Sequence, residues 1–124
     1  MRRCDITNLV ESTSDPAFAV DSDGLVLAWN ASAEALFGIG AAEALDTPCR
    51  DLLRGVDECG TVCSEDCTVR QAVEGGRPVG NFDLQVDTPQ GPRWCNVSVL
   101  AAHDRATGAL YSIHIVRQVD LRKR

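Results

Sequence analysis

Residues Ala17 to Gly38, AFAVDSDGLVLAWNASAEALFG, hold two β-prone runs, a short polar loop between them and a helix behind them. Ala17-Phe18-Ala19-Val20 and Leu25-Val26-Leu27-Ala28-Trp29 are joined by Asp21-Ser22-Asp23-Gly24. An Asp/Gly loop between two such runs closes a hairpin, with Gly24 free to take a positive φ. Asn30 ends the second run and can cap a helix whose apolar face is Ala33, Leu36 and Phe37, with Gly38 as its stop. The order is strand, strand, helix.

Upstream, Ile6, Leu9 and Val10 recur at i, i+3 and i+4, which predicts a short amphipathic helix over about residues 5–12, closed by Ser14-Asp15-Pro16. So short a helix is marginal alone and must dock, either as an end-cap on the core or as a dimer contact through Ile6, Leu9 and Val10. Downstream, Ala41 to Leu45 is a second short helical candidate, and Pro48 fits the first turn of a third that runs through Leu52 and Leu53 to Gly55. Short helices broken by Gly and Pro cover a sheet loosely, and small-molecule cavities and mobile elements lie under loose cover.

Ser64 can cap a further helix to about Glu74, with Val69, Ala72 and Val73 inward and Gly75-Gly76 ending it. Asn81 to Asp87 alternates, with Phe82, Leu84 and Val86 on one face. Arg93 to Leu100 does the same, with Cys95, Val97 and Val99 together. After the polar loop His103 to Gly108, Ala109 to Val119 makes a last strand. Three strands joined by short loops form an antiparallel meander. Alternation brings Phe37, Leu52, Leu53, Val69 and Val73 of the helices to the space between sheet and helices. Phe82, Leu84, Val97, Val99 and His114 of the strands reach the same space. They are the candidate lining of an apolar pocket, though most belong to any core.

A chain of 124 residues is one domain. With 44% hydrophobic and 24% charged residues it has a globular composition, and no uncharged apolar run is long enough for a membrane span. Asp5, Thr7, Asn8 and Glu11 interrupt any signal peptide, so a cytoplasmic location is expected. Five of the twelve basic residues sit at the ends. Residues 4–121 carry seven bases against eighteen acids, a net of −11, which repels a phosphate backbone and excludes direct nucleic-acid contact. The basic end Leu121-Arg122-Lys123-Arg124 reads as the start of a linker in a longer protein.

Residues Cys49 to Cys67, CRDLLRGVDECGTVCSEDC, hold four of the six cysteines. Cys59, Cys63 and Cys67 recur every fourth residue, so a helical turn there would stack them on one stripe, with Cys49 as a fourth member. In a reducing compartment such thiols are structural, metal-binding or redox-active, and the absence of C-x-x-C removes the thioredoxin-like reading. An all-thiolate site suits zinc or an iron-sulfur cluster, although x3 spacing is unusual for both. Reversible disulfide sensing is the other active reading, and plain burial the inactive one. His103 lies in a loop. His114 reads as a hydrogen-bonded core or edge residue rather than a haem or metal ligand. No Gly-rich phosphate loop, G-x-S-x-G or H-E-x-x-H is present, so an enzyme is not expected.

The order of elements, the run Phe18 to Asn30 and the helix Ala33 to Gly38 resemble the PAS sensory domain over nearly the whole chain. Pro48-Cys49, Gly55-x-Asp57, Cys63-x-x-x-Cys67, Phe82-Asp83-Leu84 and Trp94 to Val99 resemble a cysteine-bearing subgroup that precedes LuxR-type helix-turn-helix segments in bacterial transcriptional regulators. Gln118-Val119-Asp120 stands where the family often carries Asp-Ile-Thr, and no Asn-Cys-Arg-Phe-Leu run of flavin-adduct members is present. Without that run flavin is not expected, and with His114 read as a core or edge residue haem is not expected either. The resemblance implies an α+β fold, a PAS-like five-stranded antiparallel sheet of order 2-1-5-4-3 with short helices packed on one face. It also implies a helical cap at 1–16, the domain at 17–119, and at 120–124 the start of a basic linker to an absent output segment. The expected function is a non-catalytic homodimeric sensor that binds a small apolar ligand or senses redox state through its cysteines. A zinc or iron-sulfur redox sensor and a purely structural dimerisation module are the alternatives. The attached DNA-binding segment lies outside the chain.

Overall fold

The computed structural model describes residues 2–57, 60–61 and 68–119. Its first hairpin joins β1 (Ala17–Val20) and β2 (Val26–Trp29), with Phe18 opposite Trp29, Ala19 opposite Ala28 and Val20 opposite Val26. A bulge between Ala19 and Val20 accommodates the extra residue Leu27. The turn is held by Asp21, whose Oδ1 accepts the Asp23 and Leu25 N–H groups at 2.9 and 3.0 Å, and Gly24 takes φ 82°.

Asn30 follows and caps α2 (Ala31–Phe37), accepting the Ala33 N–H at 2.9 Å. Gly38 closes that helix at φ 70°, donating its N–H to the Glu34 carbonyl at 2.9 Å. Only glycine fits, because a Cβ there would also overlap Pro89 Cγ. Next come α3 (Ala41–Ala44) and α4 (Cys49–Leu53). The stop of α4 is not Gly55 but Arg54, at φ 48°, whose N–H bonds the Arg50 carbonyl at 3.1 Å.

Two-residue strands β3 (Val56–Asp57) and β4 (Gly60–Thr61) pair with each other, an element the sequence did not announce. Helix α5 (Thr68–Glu74) is followed by a turn in which Gly76 takes φ 70°. The expected cap Ser64 lies outside the described residues, as do Cys59, Cys63 and Cys67. The meander is β5 (Phe82–Thr88), β6 (Gly91–His103) and β7 (Leu110–Gln118). Strand β6 runs three residues past Leu100 to His103, and the turn after it is anchored by Asp104 Oδ1 accepting the Ala106 N–H at 2.9 Å.

The sheet runs β2-β1-β7-β6-β5, five antiparallel strands in the order the resemblance implied, and β3-β4 extends the β5 edge through Val56 opposite Gln85. Its inner face buries Phe18, Val26 and Trp29 of the hairpin, with Leu84, Cys95, Val97 and Val116 of the meander, against Ala33 and Phe37 of α2, Ala44 of α3, and Leu52 and Leu53 of α4.

The helices do not all lie on that face. Helix α1 (Arg3–Ser12) packs on the opposite one, where Ile6 and Val10 join Ala17, Ala19, Leu27, Ala28, Tyr111 and Ile113. The physical reason lies in β1 and β2, whose residues are all buried and which therefore need cover on both sides. Alanines at 17, 19 and 28 leave room for α1 to come close. Of the candidate dimer residues, Ile6 and Val10 are thus enclosed within the chain at 0% exposure, and only Leu9, at 45%, is open. Asn30 ties α1 to the sheet, its amide donating to the carbonyls of Val10, Thr13 and Asp15 at 3.0, 3.3 and 2.9 Å.

Candidate ligand site

Pairing across β2, β1 and β7 sets Trp29, Phe18 and His114 side by side on the inner face, because directly opposed residues of antiparallel strands share a face. Their rings form one aromatic group with Phe37 of α2. Phe18 lies 5.4 Å from Trp29 and 6.5 Å, edge-on, from Phe37, while Trp29 lies 5.2 Å from Phe37. The Trp29 ring is held by its Nε1–H, which donates to the Ile39 carbonyl at 2.9 Å.

His114 stacks flat on Phe18, with centroids 4.6 Å apart and 9° between the planes. Its other cross-strand neighbour is Val99 of β6. The ring is only 7% exposed, yet Nδ1 has no hydrogen-bond partner among the described residues. Burial pushes its pKa down to about 4, offset only in part by the nearby Ser112 backbone, so the ring is neutral at pH 7. An unpaired nitrogen in an apolar enclosure is uncommon enough to require an explanation.

The structure gathers Phe37, Leu52, Leu53, Leu84 and Val97 into a single buried cluster, with Phe82 and Val99 packed against it. Val73 is buried on α5, which packs against β7, while the side chain of Val69 lies outside the described residues. Sequence reasoning missed Phe18, Trp29 and Val116 as members of the same cluster. The alternation of Phe18 with Val20 was a signal for the first of these.

Of the four candidate metal or redox cysteines, Cys49 alone is described. It is half-buried and packed against the core cluster at the start of α4. Cys95 is fully buried, and burial pushes its thiol up to about 11, which suits an inert packing residue. Cys4 is exposed. Among the described residues no three His, Cys, Asp or Glu side chains group to hold a metal ion. No described helix is long and apolar enough to cross a membrane.

The family model of the PAS fold matches residues 10–124. None of the curated proteins matches the chain. Among solved structures, the chain is similar to the PAS domain of an HTR-like protein from Haloarcula marismortui, with 18% identity, 94% of this chain and 90% of that one covered, and TM-score 0.65. It is also similar to a light-oxygen-voltage domain studied with a flavin analogue, at 17% identity, 96% and 87% coverage, and TM-score 0.72. A PAS domain from a two-component sensor histidine kinase superposes at TM-score 0.67, with 12% identity and 91% and 92% coverage. At such identities the likeness speaks for the fold alone. The family match over residues 10–124, with the sheet order and helix cover already described, makes this chain a member of the PAS fold family of sensory domains.

Proposed function

We propose that this domain receives its signal as a small apolar molecule held between the inner face of the sheet and helices α2 to α5, without catalysing a reaction. The observation that carries the reading is the nature of the cover. A contiguous apolar face is roofed by helices of only four to seven residues, α2, α3 and α4, of which α2 and α4 stop at the left-handed residues Gly38 and Arg54. Short helices hold little intrinsic stability and open more cheaply than the strands beneath them. A guest that prefers one arrangement of the roof shifts its population, and the change passes to the segments flanking the sheet. The sequence after Val119, ending Leu121-Arg122-Lys123-Arg124, then serves as the linker to an attached DNA-binding segment of a cytoplasmic transcriptional regulator.

Titrating propylbenzene into the 15N-labelled chain tests the pocket. Amide shifts that saturate and cluster at Leu84, Val97, Val99 and Val116 are expected. Shifts absent or scattered over the surface at millimolar concentration would remove the reading.

A second reading is favoured by the position of Cys49, half-buried against the same core at the start of the roof helix α4. Cys49, Cys59, Cys63 and Cys67 would then sense redox state by reversible disulfide formation or hold zinc or an iron-sulfur cluster. Anaerobic purification with assays for iron, sulfide and zinc, beside a thiol count before and after oxidation, separates the cases. Metal-free protein whose thiols survive oxidant would eliminate both.

A further inference from the structure

We infer that the guest is an uncharged apolar molecule bearing one hydroxyl, and that His114 Nδ1 is the atom that binds this hydroxyl; the inference rests on the ligand-binding reading above. The buried polar residues among those described are Asn30, Asp104, Ser112 and His114. Asn30 is occupied with the backbone of residues 10, 13, 15, 17 and 33, and Asp104 with the turn that follows β6. Ser112 and His114 remain, two residues apart on β7 and facing the same side, with His114 Nδ1 unpaired. Among the described residues an apolar surround with a single unpaired buried nitrogen selects a guest with a matching single polar group.

Charge narrows the class further. No lysine or arginine is among the buried described residues, so a carboxylate or phosphate guest would be buried without a counter-ion. A neutral imidazole carries one N–H and one bare nitrogen, and a hydroxyl both donates and accepts, so it satisfies Nδ1 in either tautomer. The stack on Phe18, 9° from parallel, fixes the imidazole plane and hence the direction in which Nδ1 bonds. Phe18, Trp29 and Phe37 supply aromatic walls beside it.

The test compares 4-propylphenol with propylbenzene by calorimetric titration of the 124-residue chain, with the 15N signals of the histidine ring followed by NMR. The phenol is expected to bind about three- to tenfold more tightly, as one neutral hydrogen bond allows, and to shift the His114 Nδ1 resonance where the hydrocarbon does not. His114→Phe, which keeps a ring stacked on Phe18, should bind both probes equally. Equal binding to the unaltered chain with no Nδ1 shift would overturn the anchor and leave the ligand-binding reading standing. Failure of both probes to bind at millimolar concentration would overturn both. Should His114→Phe not fold, the Nδ1 resonance of the unaltered chain decides alone.

Discussion

His114 couples the candidate site to stability through its protonation. In the unfolded chain the ring has its ordinary pKa of 6.5, and in the fold burial holds it near 4. Between those values the unfolded chain binds a proton that the folded chain refuses. The stabilising contribution of the neutral ring is therefore complete above about pH 6.5 and falls away as pH drops toward 4. Its cross-strand neighbours Phe18 and Val99 do not titrate, and Glu74 of the helix packed on β7 is exposed. From pH 7.5 to 5 the loss amounts to about 2 kcal/mol. Urea unfolding at the two pH values should show this decrement in the unaltered chain beyond whatever His114→Phe shows, since the carboxylates are common to both. Equal decrements would mean that the ring is not held neutral. The alternation Ser112, His114, Val116 was readable in the sequence. The cross-strand neighbour of His114 was not, because the pairing register between distant segments is what sets Phe18 opposite it.

At the scale of elements, Asn30 shows how a legible cap can conceal a larger role. As a helix cap it was evident from its place after a strand and before Ala33. Its side chain also accepts the Ala17 N–H at 3.1 Å and donates to three carbonyls at the end of α1 and beyond it. If capping were its whole role, Asn30→Asp would be neutral, since the two residues cap about equally. The network predicts the reverse. Asn30→Ala should cost roughly 2 to 4 kcal/mol, and Asn30→Asp at least as much, because a carboxylate would face three carbonyl oxygens. Chemical denaturation of the two variants checks the order. A harmless Asn30→Asp would refute the network. The end of α4 went the other way. Gly55 was the local choice for a left-handed stop, but tertiary contacts put that conformation on Arg54 and started β3 at Val56.

For the whole molecule, the decisive placement is that of α1. Lying on the far side of the sheet from the roof, it encloses Ile6 and Val10 and leaves Leu9 outward. Folding and self-association then separate by residue. Ile6→Ala should destabilise the domain by about 2 to 4 kcal/mol, as for a fully buried aliphatic side chain. Leu9→Glu should leave stability within about 0.5 kcal/mol. If the domain forms the homodimer expected from its sequence through α1, Leu9→Glu should also lower its sedimentation coefficient to that of a monomer. An unaltered chain that already sediments as a monomer, or a Leu9→Glu dimer of unchanged strength, would remove α1 as the contact.

The amino-acid order alone determined the hairpin, the caps at Asn30 and Gly38 and the alternating strands of the meander. Each of these is a local matter of turn chemistry and of a two- or 3.6-residue period. Tertiary structure alone decided that α1 covers the second face and that β3 and β4 join the β5 edge. It also decided that His114 ends up stacked on Phe18 with one nitrogen unpaired. Those outcomes depend on which surfaces distant segments leave uncovered, and no local period encodes that.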